Sequence, residues 1–201
     1  MSSPFTARQA GLIAIAAAGL ILTSQISQLV LPMLIKESFW YATQWLRLGL
    51  ALTAMFFLLL AATGLYAKQA HAIGRLGLVG YLLASLGTVL VAGDWWYEGF
   101  IGPVLREQAP ALLATAPSGT ILIGAALTFG SFAAGWAIFG LASLRAGVFP
   151  RGAAVLMIVG GVVAILALIS PFQIPLALAV GWMGWWLIRS EDRAIQRAPA
   201  A

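Results

Sequence analysis

The sequence predicts an all-α fold: a transmembrane bundle of six helical spans that forms a single domain over residues 1–201. Hydrophobic residues make up 62% of the chain, charged residues only 8%, and the mean hydropathy is +0.98. Six long apolar stretches alternate with short segments that hold nearly all of the charges. About 20 apolar residues are enough to cross a bilayer. A soluble domain, with roughly a quarter of its residues charged, is excluded.

The predicted spans follow one another with mostly short connections. The first apolar stretch is longer than the core of a cleavable signal, about 7–15 residues, so we interpret it as a retained helix. The last two spans are near the minimum length of about 17 residues and are separated by Ser170-Pro171, where proline ends a helix. A re-entrant hairpin is the alternative for that pair. The spans are 10–35, 48–67, 76–95, 120–144, 152–169 and 172–188, with an outer interfacial loop at 96–119.

Basic residues are sorted by side. Eight of the eleven Lys and Arg fall on one side of the six spans and three on the other. Because cytoplasmic segments carry the excess of Lys and Arg, both termini are predicted to be cytoplasmic. The basic pI of about 10.3 then reflects topology and contact with anionic lipid, and we predict no nucleic-acid partner. The eight are Arg8, Lys68, Arg75, Arg145, Arg151, Arg189, Arg193 and Arg197; the three are Lys36, Arg47 and Arg106.

Small residues and a weak repeat indicate how the spans pack. Glycines recur in spans three to six, and helices in lipid associate through small residues that let their backbones approach. Residues 64–70 (Gly-Leu-Tyr-Ala-Lys-Gln-Ala) match residues 140–146 (Gly-Leu-Ala-Ser-Leu-Arg-Ala) loosely, and Arg75 matches Arg151 in the same register. This pattern predicts a parallel duplication of helix hairpins 2–3 and 4–5, with chance similarity between apolar segments as the alternative.

The outer end of span three is the first candidate site. Asp94 and Glu98 are four residues apart and so share one helix face, where they could bind a cation or take up protons. The alternative is two solvated carboxylates among interfacial aromatic residues. The aromatic neighbours Trp95, Trp96 and Tyr97 complete this candidate.

The loop that follows is the longest connection and mixes apolar residues with Arg106 and Glu107. The spacing of Leu105, Leu112 and Leu113 predicts a short helix on the membrane surface. It is either a lid over an outward-facing cavity, since long ordered loops tend to carry function, or a passive interfacial helix.

Span one contains a dense polar run. Gln25 and Gln28 are three residues apart and share a face. Because buried amides in lipid need partners, this face should point into the bundle or into a wet cavity. Binding of a ligand and hydrogen bonding between helices are both open.

Several chemistries are excluded by composition. The chain has no Cys, and its single His, His71, cannot form a multi-His metal site or a bis-His haem site. There is no phosphate-binding loop of the Walker type. We therefore predict no catalytic residues, no metal and no cofactor.

Residues 64–70, residues 74–77 (Gly-Arg-Leu-Gly) and residues 96–100 (Trp-Tyr-Glu-Gly-Phe), with Pro103 and Ala109-Pro110, resemble small bacterial six-span membrane proteins of unknown function. The resemblance covers roughly residues 46–150. It implies a bacterial inner membrane and a helical bundle, and no activity or ligand.

The residues themselves predict a non-enzymatic membrane protein that binds membrane lipids or another membrane protein subunit. The alternatives are a small carrier for a hydrophobic or cationic solute and an intramembrane enzyme.

Overall fold

The computed structural model describes residues 6–34, 44–113, 119–166 and 172–197, which are helical almost throughout and contain no strand. The all-α prediction is confirmed. The elements are α1 (Ala7–Leu34), α2 (Gln44–Phe100), α3 (Gly102–Gln108), α4 (Pro110–Leu113), α5 (Thr120–Ala146), α6 (Arg151–Val163), a 3₁₀ turn (Ala164–Leu166) and α7 (Ile174–Arg197).

Helix α2 is broken at Gly74, whose φ of 64° and ψ of −166° are non-helical and suit glycine best. The hydroxyl groups of Thr63 and Tyr81 lie 3.0 Å apart, and the rings of Tyr66 and Tyr81 stack at 4.6 Å. In a straight helix, residues 63 and 81 would be about 27 Å apart. The two arms, residues 44–73 and 75–100, therefore run antiparallel as a hairpin with a one-residue turn.

Among the described residues, three helical stretches are long and apolar enough to cross a membrane: Ala7–Val30, Gln44–Gln108 and Thr120–Ala146. The second contains both arms of α2. Helix α6 is a shorter apolar helix. Length and composition thus agree with a membrane protein.

Glycine sets the spacing at the helix crossings. A Cβ on Gly80 would lie 2.6 Å from the backbone nitrogen of Phe139 in α5, and one on Gly160 would lie 2.6 Å from that of Leu176 in α7. A Cβ on Gly184 would lie 2.7 Å from the carbonyl oxygen of Gly11. Backbones in these helices therefore touch where a side chain would separate them. Gly87, Gly135 and Gly161 make equally close approaches.

One end of the bundle holds the turns, and we call it the turn end. It contains Gly74 and the connection at residues 147–150. The start of α1 and the end of α7 meet there, because the backbone N–H of Arg8 donates to the carboxylate of Glu191. The first turn of α1 and the last part of α7 therefore lie at the same end of the bundle.

The other end holds the beginning of α2, the end of its second arm, and helices α3 and α4. We call it the cleft end. Leu112 and Leu113 in α4 are exposed. The predicted end of the first span at Ile35, the Ser170-Pro171 break and loop residues 114–118 lie outside the described residues.

Candidate functional site

Two adjoining cavities, of about 250 and 220 Å³, open at the cleft end. We call them together the terminal cleft. Both are lined by Gln28 of α1, Arg47 of the first arm, and Trp95 and Glu98 of the second arm. Beyond these shared residues the two cavities differ, since one adds an arginine and the other a carboxylate.

The first cavity, the arginine chamber, adds Gln44, Leu48, Gly99 and Arg106 to the shared lining. The amide nitrogen of Gln44 donates to the carbonyl oxygen of Gly99 at 3.2 Å, which joins the ends of the two arms. The side chain of Leu48 occupies the space that a Cβ on Gly99 would need. Contacts between the arms therefore fix the floor of this chamber.

Arg106 reaches the arginine chamber by folding back over its own short helix. A Cβ on Gly102 would lie 3.0 Å from a terminal guanidinium nitrogen of Arg106. The absence of a side chain at Gly102 thus makes room for this guanidinium group. Arg106 and Arg47 together give the chamber two cationic, planar donors.

The second cavity, the carboxylate chamber, adds Val91, Asp94, Phe129 and Phe172 to the shared lining. Asp94 and Glu98 lie one helical turn apart and repel each other electrostatically, whereas Glu98 and Arg47 attract each other. The rings of Phe129 and Phe172 meet edge to face at 6.5 Å. Two carboxylates therefore lie beside an aromatic wall that includes Trp95.

A buried amide pair lies between α1 and α7 near the cleft. Gln25 and Gln173 are 1% and 2% exposed, and the amide nitrogen of Gln25 donates to the Gln173 oxygen at a long 3.5 Å. The remaining Gln25 oxygen and Gln173 nitrogen have no hydrogen-bond partner in the described part of the chain. Burying such atoms costs about 1–3 kcal/mol each. Gln28 follows Gln25 by three residues, on the same face, and lines both chambers.

The structure brings together most of the residues singled out in the sequence. Asp94, Glu98, Trp95, Arg106 and Gln28 line the cleft, and Gln25 is buried near it. The other three candidates, Trp96, Tyr97 and Glu107, line neither chamber. All three are exposed, as are Asp94, Glu98 and Arg106 at the mouth of the cleft.

Sequence reasoning missed several lining residues, of which Arg47 is the most important. In the sequence Arg47 counted only toward charge topology, because no motif surrounds it. The pairing of residues between the two arms of α2 would have indicated Arg47. Residue 44 contacts residue 99, and residue 45 contacts residue 100, so residue 47 lies near residue 98. No comparable signal marks the lining residues Gln44, Phe129 and Phe172, or Gln173 near the cleft.

The arrangement offers polar and charged contacts of both signs. Among the described residues, no group of three or more His, Asp or Glu side chains could hold a metal ion. The chain matches no protein-family model, no curated protein and no solved structure.

Proposed function

We propose that this chain is a non-enzymatic integral membrane protein that binds a membrane lipid by its headgroup in the terminal cleft. The mixed-charge cleft at one end of a closely packed apolar bundle carries this proposal. Headgroups lie at the ends of transmembrane helices, where a ligand can be polar while its tails stay apolar. Large exposed apolar residues on the second arm, such as Leu82 and Leu86, offer a surface for acyl chains.

The glycine-rich faces are less available for a partner subunit than the sequence alone suggests. Gly80, Gly87, Gly135 and Gly160 pack against backbones of the same chain. A partner membrane protein would then have to bind elsewhere on the bundle. This leaves the cleft as the better supported binding feature.

The topology belongs to the same proposal: six crossings of a bacterial inner membrane, with both termini in the cytoplasm. The crossings would be α1, the two arms of α2, α5, α6 with its 3₁₀ turn, and α7. Supporting this, the turn end carries Arg8, Arg75 and Arg151, as cytoplasmic loops do. Each of the two turns contains a glycine with positive φ, Gly74 at 64° and Gly147 at 65°. They lie 73 residues apart, not the 76 of the sequence match, and differ in ψ (−166° and 13°), so the proposed duplication rests on the sequence match.

Cysteine labelling tests this topology. Because the sequence contains no Cys, only the introduced cysteine can react. In intact cells a membrane-impermeant maleimide should label Gln108→Cys at the cleft end. It should label His71→Cys only after permeabilisation. Labelling of both residues in intact cells, or of His71→Cys alone, would contradict the proposed orientation.

Lipid retention tests the binding function. The delipidated full chain in mild detergent is mixed with phospholipids, and bound lipid is measured by native mass spectrometry. The Asp94→Asn/Arg106→Gln double variant should retain at least about tenfold less lipid, or about 1.4 kcal/mol. The matched control, Asp192→Asn/Arg193→Gln, removes one carboxylate and one guanidinium at the turn end and should bind as wild type. If wild type retains no lipid, the proposal is wrong; a partner subunit would instead co-purify stoichiometrically.

A small carrier for a cationic or hydrophobic solute is the second candidate, and the buried Gln25–Gln173 pair favours it. Such polar groups could extend the cleft inward. However, Phe132, Trp136 and Phe139 fill the centre of the bundle, so transport would require helices to move apart. If Asp94→Asn and Glu98→Gln leave uptake into proteoliposomes unchanged, this candidate loses its proposed cation site.

A further inference from the structure

The two chambers differ in charge in a way that selects a ligand class. We infer that the terminal cleft binds a zwitterion, with its ammonium group in the carboxylate chamber and its phosphate group in the arginine chamber. Phosphatidylethanolamine and phosphatidylcholine are lipids of this class. The inference rests on the proposed lipid-binding function and specifies its ligand.

The carboxylate chamber has the chemistry of an organic ammonium site. Asp94 and Glu98 supply negative charge, and a cation between them would relieve their mutual repulsion. Trp95, Phe129 and Phe172 add aromatic surfaces to the same cavity. Ammonium groups bind aromatic faces through the ring quadrupole, and the two carboxylates add coulombic attraction for the same positive charge.

The arginine chamber has the chemistry of a phosphate site. Arg47 and Arg106 present guanidinium groups, whose paired N–H donors match the oxygens of a phosphate. Gln28 and Gln44 add amide groups to the lining. The Arg106 guanidinium group folds back over Gly102 and so reaches this chamber.

The shared lining explains why a ligand of a single sign fits less well. Arg47 and Glu98 line both chambers and attract each other. A ligand that occupies both chambers would therefore contact one positive and one negative side chain. An anionic headgroup would meet the two carboxylates, and a simple cation would meet the two arginines. A zwitterion aligned from Arg106 to Asp94 would place its phosphate group beside an arginine and its ammonium group beside a carboxylate.

The chamber sizes agree with a headgroup. The two cavities, about 250 and 220 Å³, together reach the lower part of the range of small-molecule pockets, about 300–1,000 Å³. Each can hold one charged group with its nearest atoms. The acyl chains would then lie outside the cleft, along the apolar helix surfaces.

Competition among lipids with identical acyl chains tests the inference. The delipidated full chain is incubated with an equimolar mixture of phosphatidylethanolamine, phosphatidylcholine, phosphatidylglycerol and diacylglycerol, and native mass spectrometry measures retention. We expect the two zwitterionic lipids to exceed the anionic and neutral lipids at least about tenfold. Water-soluble glycerophosphoethanolamine should compete at millimolar concentration if the headgroup alone suffices. Failure to compete while the lipids bind would show that the lipid, and not a free zwitterion, is the ligand.

Single variants separate the two chambers. Asp94→Asn should lower retention of the zwitterionic lipids several-fold and leave retention of phosphatidylglycerol unchanged or higher, because only the ammonium partner is lost. Arg106→Gln should lower retention of every phospholipid. Gly102→Ala keeps all charges but occupies the space beside the Arg106 guanidinium, so it should act as a weaker Arg106→Gln. The exposed residues Asp192 and Arg145 provide the controls Asp192→Asn and Arg145→Gln.

The outcomes distinguish the zwitterion assignment from the proposed lipid-binding function. Equal retention of all four lipid classes would leave lipid binding in place and overturn the zwitterion assignment. Equal loss of zwitterionic and anionic lipids in Asp94→Asn would also overturn it. Retention of no lipid at all would overturn the proposed function itself. A thermal melt within a few degrees of wild type for each variant ensures that a loss reflects the cleft and not unfolding.

Discussion

The turn end and the cleft end of the bundle bury similar amide side chains in different ways. At the turn end, the Gln69 amide nitrogen donates to the Ser143 hydroxyl at 2.9 Å, while the Gln69 oxygen has no partner among the described residues. At the cleft end, the Gln25–Gln173 contact is stretched to 3.5 Å and leaves a donor and an acceptor without partners among the described residues. The two ends therefore differ in the length of the amide contact: it is short at the turn end and stretched near the cleft.

The difference follows from which residues separate the helices. Through the middle of the bundle, glycines such as Gly87 and Gly135 bring the second arm and α5 into backbone contact. At the cleft end, the helices are separated by the larger side chains of Arg47, Trp95 and Phe172, and cavities remain between them. Stability is therefore concentrated away from the cleft, and the cleft is the part with room for a ligand.

The sharpest test of this contrast is Gly135→Ala. The new Cβ would collide with the backbone of Ala84, which cannot move aside as a flexible side chain could. We expect the free energy of unfolding to fall by about 2–4 kcal/mol, as for overpacking against a rigid neighbour. Reversible unfolding in mixed micelles measures this change.

Gly130→Ala is the matched control on the same helix, since nothing lies within 4 Å of its added Cβ. It should be neutral or stabilise by up to about 1 kcal/mol, because alanine favours the helix over glycine. Equal destabilisation by both substitutions would mean that backbone contact does not concentrate stability at the glycine crossings.

Composition was enough to predict the helical fold, because apolar runs without charge leave the backbone no satisfactory alternative in lipid. The one-residue turn at Gly74 was not predicted. The sequence between the two spans reads as a short basic loop, yet helical hydrogen bonding continues on both sides of Gly74. A single positive φ leaves little trace in a chain with 22 glycines.

The site was predictable where its residues are close in sequence. Asp94 and Glu98 share one helix face, so periodicity alone grouped them, and Trp95 was included as their neighbour in the sequence. Arg47 joins them only through the register of the hairpin, and Phe129 and Phe172 only through the packing of α5 and the start of α7. Such long-range neighbours depend on helix contacts that no short motif encodes.

The polar contact at the turn end provides the next test. Ser143→Ala removes the acceptor of the Gln69 amide nitrogen in a fully buried position, where Gln69 and Ser143 are 1% and 0% exposed. Leaving that donor unsatisfied should lower the free energy of unfolding by about 1–2 kcal/mol. Ser131→Ala is the control, because the Ser131 hydroxyl bonds only to a carbonyl of its own helix. If both variants have the same stability, the turn end does not depend on this contact.

The smallest change in stability is expected at the cleft end, for the buried amide pair. Replacing Gln25 and Gln173 together by Leu removes two incompletely satisfied amides and substitutes apolar side chains of similar size. Such paired replacement is nearly neutral or stabilising. The free energy of unfolding in mixed micelles should therefore change by less than about 0.5 kcal/mol, or increase. Gln25→Leu alone should be less stable than the double variant, because it leaves Gln173 without its one amide partner. A double variant as destabilised as Ser143→Ala would mean that the amide pair stabilises the fold, and the two ends would then differ in geometry but not in role.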